Sequence, residues 1–176
     1  MREWIERIAL SILALWLLIA AIVAGVVLFL YVQFQSFEER PHLTDEALIE
    51  NLRENMDQYN LLIEMFAADY PLTTVHPHFI RPDHEISAER WEEYQKIFRE
   101  LELDAGMRYG PNESIWFIST THGLMTGGSI KGYVYRPKTP TPLYTSLNSI
   151  PDDLKSNVYA FKKINEEWFI SFYWDD

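Results

Sequence analysis

His76-Pro-His78, with Asp83, His84 and Glu85 shortly after, gathers imidazoles and carboxylates in one short stretch. Neutral imidazole and carboxylate oxygen are zinc ligands, and alternate residues of an extended segment face the same way, so His76, His78 and His84 are the metal-ligand candidates. Neither an H-E-x-x-H pattern nor a cysteine accompanies them, which makes a plain polar loop the preferred reading. Gly123, Gly127, Gly128 and Gly132 surround Ser129 and Lys131 as if to cradle a phosphate, but they lead into a strand rather than a helix, and a hairpin explains them better. Ser119 or Ser129 with His122 supplies a nucleophile and a base, yet the G-x-S-x-G elbow is absent. Glu92-Glu93 and Asp152-Asp153 are sequence neighbours that diverge on a helix instead of converging on one bond. No catalytic residue and no cofactor is expected from these patterns.

The elements that must position these groups are legible from periodicity. Thr44 precedes Asp45 and Glu46, an N-cap with acids in the first turn. Leu48, Leu52, Met56, Tyr59, Ile63, Phe66 and Tyr70 then recur at spacings of three and four, predicting one helix over 44–69 stopped by Pro71. The proline-containing stretch 71–85 reads as a loop. Ser87 caps a second helix with Trp91, Tyr94, Phe98 and Leu101 on its apolar face, and Gly106 in Asp104-Ala105-Gly106 offers the left-handed position that ends it. After the turn Gly110-Pro111-Asn112 the chain becomes β-branched and aromatic. Strands are expected over 114–121 and 129–135, joined by 122–128, and over 158–163 and 168–174, joined around Asn165-Glu166. Between these hairpins, 136–157 is a proline-rich connection. Pro137-Lys-Thr-Pro140-Thr-Pro142 inside it reads as a stiff crossover.

Residues 8–32 contain one polar side chain, Ser11, and no charge. At about 1.5 Å per residue such a helix reaches roughly 37 Å, enough to cross a hydrocarbon core of about 30 Å. A signal peptide would turn polar after its small residues, whereas here Val26, Val27, Leu28, Phe29 and Leu30 continue the apolar run, so an uncleaved anchor is expected. Ala20, Ala21, Ala24 and Gly25 place small residues four apart, a spacing that permits a homodimer or docking to another membrane subunit. Arg2 and Arg7 mildly favour a cytoplasmic N-terminus. From residue 38 to 104 there are 17 acids against 6 bases, while acids and bases balance at seven each from Ala105 onward. An anionic cytoplasmic leaflet would repel that acidic half, and nucleic acid is not an expected partner.

The expected organisation is a cytoplasmic tail at 1–7, a transmembrane signal-anchor at 8–34, a linker at 35–43 and a periplasmic α+β domain at 44–176. In that domain two helices pack on a four-stranded antiparallel sheet. Leu52, Tyr59, Ile63, Phe66, Trp91, Phe98, Ile118, Phe161 and Ile170 are expected core. Trp168-Phe-Ile-Ser-Phe-Tyr-Trp174 is apolar on both parities, so both faces of that strand need cover. Aromatic residues anchor protein interfaces, and Tyr133, Tyr135, Tyr173 and Trp174 are the expected partner-binding residues, with the acidic helices steering a basic protein.

The segment Gly127-Gly-Ser-Ile-Lys-Gly-Tyr-Val-Tyr135 and the ending Glu167-Trp-Phe-Ile-Ser-Phe-Tyr-Trp174 resemble small uncharacterised bacterial membrane-anchored proteins. The resemblance covers about the C-terminal third, implies a bacterial source and supplies no site residues. Together these readings lead to an expected single-pass inner-membrane protein with a non-enzymatic binding role, as accessory subunit of a membrane complex or immunity-type toxin-neutralising protein. The competing class is a small envelope metal-dependent hydrolase using the loop from His76 to Glu85.

Overall fold

The computed structural model describes Trp16, Ile19 and residues 22–29, 41–83, 85–123 and 128–175, and it divides the chain into two units, Met1–Arg40 and Pro41–Asp176. In the first, residues 22–29 are helical and their large apolar side chains are exposed. Among the described residues no helix is long and apolar enough to cross a membrane. Most of the expected 8–34 span, all of the 1–7 tail, and Ala20 and Ala21 lie outside the described residues. Ala24 and Gly25 fall inside the helical stretch.

The second unit begins with the capped helix that the sequence predicts. The Thr44 side chain accepts from the Ala47 N–H at 3.2 Å, opening α1 (Asp45–Glu54). The expected single helix is in fact two, because Asn55 leaves the helical basin (φ −115°, ψ 23°) before α2 (Met56–Ala68). Its Nδ2 donates to the Asn51 carbonyl at 3.0 Å, alongside its own backbone N–H. A short amide side chain that competes for backbone partners is a poor helix interior residue. The bend changes the buried stripe: Leu62 and Met65 join Tyr59 and Phe66 in the core, whereas Tyr70, beyond the helix end, is 80% exposed.

Ser87 caps α3 (Ala88–Glu100), accepting from the Arg90 N–H at 3.1 Å. Its C-terminus is a correction to expectation. Glu102 (φ 55°) takes the left-handed position that ends the helix, while Gly106 is left-handed too (φ 68°) but only where the next strand begins, and the Leu103 N–H reaches back to the Phe98 carbonyl at 2.8 Å. That is the six-to-one bond of a Schellman ending. α2 and α3 are tied by Asp69, which accepts from Arg90 Nε and from the Tyr94 hydroxyl, both at 2.9 Å.

The sheet has seven antiparallel strands, not four. The expected strands are present as β4 (Ile115–His122), β5 (Gly128–Tyr135), β6 (Val158–Lys163) and β7 (Trp168–Asp175). Three short ones precede them: β1 (Thr74–His76) and β2 (Phe79–Arg81), inside the expected loop, and β3 (Gly106–Tyr109). The spatial order is β2-β1-β3-β4-β5-β7-β6. Segments of three or four residues are too short to show a period.

Side chains of one parity meet the helices. Tyr59 of α2 packs edge-on against Phe117, Tyr133 and Trp168, at ring separations of 5.2–5.6 Å. Of the expected core, Ile63 and Trp91 are half-buried; the others are buried, but Phe161 belongs to a separate cluster with Trp116, Val134 and Phe169 on the opposite sheet face. β7 therefore feeds both clusters, which explains its unbroken apolar run.

The sheet is strongly coiled. Trp116 on β4 pairs through Val134 and Phe169 to Lys163 on β6, so Tyr159 lies four residues along β6 from the Trp116 row. Three strand spacings alone would separate β4 from β6 by roughly 14 Å in a flat sheet. Yet the Trp116 and Tyr159 rings are 4.5 Å apart. One device for the bend is a bulge: β4 and β5 pair at Ile118↔Gly132 and resume at Thr120↔Lys131, leaving Ser119 extra. A Cβ on Gly132 would lie 2.0 Å from the Phe117 carbonyl oxygen, so only glycine permits this approach.

Candidate functional site

Coiling brings the β3–β4 corner toward edge strand β6, and the seam between them is a groove. The corner is built from Gly110 onward. The Gly110 N–H donates to the Ser114 carbonyl, the Ser114 hydroxyl donates to the Pro111 carbonyl, each at 2.8 Å, and the Trp116 indole N–H donates to the Ser114 hydroxyl at 3.0 Å. A side chain on Gly110 would strike that indole nitrogen, since its Cβ would lie 1.8 Å away. Gly110 thus lets the indole lie against the turn.

Opposite, Tyr159 and Phe161 of β6 complete the aromatic wall. The outer edge of β6 is covered by residues 142–144: the Phe161 N–H donates to the Pro142 carbonyl at 3.0 Å and the Tyr144 N–H to the Phe161 carbonyl at 2.8 Å. The resulting cavity is about 630 Å³ and is also lined by Arg108, Pro111, Thr141 and Asn157. That volume is typical of a small-ligand or short-peptide site.

Arg108 is the charged group among the described residues that line the groove. Directly opposite Trp116 in register, it holds its guanidinium carbon 5.6 Å from the indole ring and donates from Nη2 to the Tyr159 hydroxyl at 2.8 Å. A guanidinium has five donor hydrogens. Among the described residues no carboxylate pairs with Arg108. Tyr159 is itself braced by Tyr173, at a ring separation of 4.8 Å, whose hydroxyl donates to Asn157 Oδ1 at 2.8 Å.

A second cluster sits on the helix side of the sheet. Asp45, though it opens α1, is fully buried, with Lys131 of β5 2.9 Å from Oδ1 and Lys162 of β6 2.9 Å from Oδ2. Oδ2 also accepts the Leu147 N–H at 2.7 Å, and the Lys131 ammonium donates to the Leu147 carbonyl at 2.8 Å. Burial pushes the Asp45 carboxyl up, but the Leu147 N–H and the two lysines together outweigh it and hold the pKa below the usual carboxylate range. Burial likewise lowers Lys131, against the pull of Asp45. Lys131 is only 1% exposed, so its ammonium cannot reach a substrate. This cluster fastens the start of α1 and the 136–157 connection to the sheet.

His42 makes a third polar junction. Nδ1 lies 2.5 Å from the Thr120 hydroxyl and Nε2 2.7 Å from the Ser129 hydroxyl, while the His122 ring meets it edge-on at 4.0 Å. Burial, then His122 and Lys131, drive the His42 pKa down to about 3. A serine–histidine pair at this distance has the reach of a nucleophile and its base. However, the other nitrogen faces a hydroxyl rather than an orienting carboxylate, and an imidazole of that pKa is a weak base. His42 is a neutral clamp between β4 and β5.

The expected site residues scatter. His76 ends β1 and His78 lies in the β1–β2 turn; the His76 Nδ1 accepts the His78 backbone N–H at 3.2 Å and its ring stacks on Phe79. His84 lies outside the described residues. Among the described residues no three His, Cys, Asp or Glu side chains are placed to hold a metal. The four aromatic partner candidates do not share a surface. Tyr133 is 1% exposed beneath α1, donating its hydroxyl to the Leu48 carbonyl at 2.8 Å. Tyr135 and Trp174 are half-buried on the same helix-covered face, and Tyr173 alone points to the other.

Spacing gives no sign that Arg108, Trp116, Tyr159 and Phe161, the last expected only as core, form one site, because they lie on three strands and meet only through coiling. Lys131 did leave a trace. It shares strand parity with Tyr133 and Tyr135 inside an apolar segment, the mark of a charge turned inward. No family model, curated protein or solved structure matches the chain.

Proposed function

We propose that this chain is a non-enzymatic, single-pass binding protein of a bacterial inner membrane, and that the seam groove is where its protein partner engages. The observation that carries the reading is a preformed aromatic groove of about 630 Å³ holding a guanidinium with no carboxylate partner among the described residues. Rigid aromatic walls with one oriented charge are the anatomy of an interface hot spot. The uncharged run at 8–32 supports anchoring, and the acidic half supports placement of the domain in the periplasm. An accessory subunit of a membrane complex and an immunity-type protein are both partner-capturing roles that such a domain serves.

Two measurements test this. A C-terminal alkaline phosphatase fusion should be active; an inactive phosphatase with a fluorescent cytoplasmic reporter at the same site refutes the topology. Trp116→Ala and Tyr159→Ala in the full-length chain should abolish recovery of the partner from native membranes, with far-UV circular dichroism and a cooperative thermal melt retained. Undiminished recovery in both variants refutes the groove as the contact.

A further inference from the structure

We propose that the groove receives the C-terminal residue of a polypeptide, with its carboxylate on Arg108 and its apolar side chain against Trp116, Tyr159 and Phe161. This assignment rests on the binding role proposed above and names the chemistry of the occupant.

The argument starts from Arg108. Its guanidinium is held on two sides, by the Trp116 ring 5.6 Å away and by the Tyr159 hydroxyl at 2.8 Å, so its direction is set before any ligand arrives. One donor is engaged by Tyr159 and no carboxylate pairs with the group among the described residues, which leaves donors for a bidentate anion. The anion must then lie beside aromatic walls. Carboxylate and apolar group have to belong to the same residue, as they do at the end of a chain, where the carboxylate is one bond from the Cα that carries the side chain. An internal glutamate would instead bring its own polar backbone against Trp116 and Phe161. Thr141 and Asn157 also line the cavity and offer polar contacts to the peptide that precedes the terminal residue. The net charge of −11 opposes an anion at long range. The acids of α1–α3 belong to the helix side of the sheet, however, and screening cuts such repulsion within about 8–10 Å.

Calorimetry on the full-length chain in detergent tests the assignment with three probes: a pentapeptide ending in phenylalanine with a free carboxylate, the same peptide amidated at its C-terminus, and phenylpropionate. The free-acid peptide should bind at least tenfold more tightly than the amide and than phenylpropionate. In Arg108→Gln that preference should collapse to within about twofold. Tyr159→Phe, which removes only the hydroxyl that aims the guanidinium, should narrow the preference for free acid over amide several-fold; it serves should Arg108→Gln fail to fold. Equal binding of acid and amide overturns the anion assignment while leaving the groove as a binding site. Phenylpropionate binding as tightly as the peptide overturns the polypeptide occupant, and retention of the preference in Arg108→Gln overturns the role of Arg108. If no probe binds the wild type, the groove reading falls as well.

Discussion

Asp45 shows how one side chain couples three distant segments. It draws Lys131, Lys162 and the Leu147 N–H onto one carboxylate, and each partner loses its counter-charge or acceptor if Asp45 is neutralised. Breaking a buried ion pair from one side costs about 3–5 kcal/mol, because the remaining charge stays desolvated. Asp45→Asn should therefore lower the free energy of unfolding by about that amount in urea titrations. Asp45→Asn combined with Lys131→Met should be less destabilised than Asp45→Asn alone, because no unpaired ammonium remains. Lys162, partly exposed, can turn to water in either case.

His42 makes the sign of the pH dependence explicit. Its pKa falls from 6.5 to about 3 on folding, so between these values the unfolded chain binds the extra proton. The stabilisation is complete above about pH 6.5 and is lost progressively as pH falls toward 3. Asp45, also depressed, acts in the same direction and at lower pH. The urea midpoint of the wild type should drop between pH 7.5 and pH 5, and that drop should shrink in His42→Gln, whose amide can still meet Thr120 and Ser129.

At the scale of elements, caps and breaks obey local chemistry while strand register obeys close approach. Thr44 and Ser87 cap as their residue types predict, and replacing a cap by alanine costs about 1 kcal/mol, so Ser87→Ala should lower stability by that amount in thermal melts. The β4–β5 bulge is less forgiving. Any side chain at position 132 meets the Phe117 carbonyl, so Gly132→Ala should destabilise by about 1–3 kcal/mol as the strands part or the coil relaxes. Because coiling forms the groove, the same variant should also weaken peptide binding. Stability and binding both unchanged would show that the bulge does not control curvature.

For the whole molecule, the buried cores are drawn from residues 48–172, within the second unit. Expressed alone, 41–176 should melt cooperatively within a few degrees of the full-length chain, and it should lose membrane association if 8–34 is the anchor. A fragment that fails to fold would show that the first forty residues are needed for the core.

Elements whose cause is local were legible from residue order alone. A three-and-four spacing marks the helices wherever they pack, and runs of β-branched and aromatic residues mark the four long strands. The bend at Asn55 and strands β1–β3 were not legible, since a single competing amide and strands of three or four residues carry no periodic signal. Tertiary structure alone decided which aromatic residues are available: Tyr133 and Tyr173 look alike in sequence, but opposite parities in a coiled sheet put one beneath α1 and the other behind the groove. It also decided the polar centres. Asp45 meets Lys162 across 117 residues and Arg108 meets Tyr159 across 51, distances at which spacing carries no information and only the packing of α1 and the coil of the sheet set who meets whom.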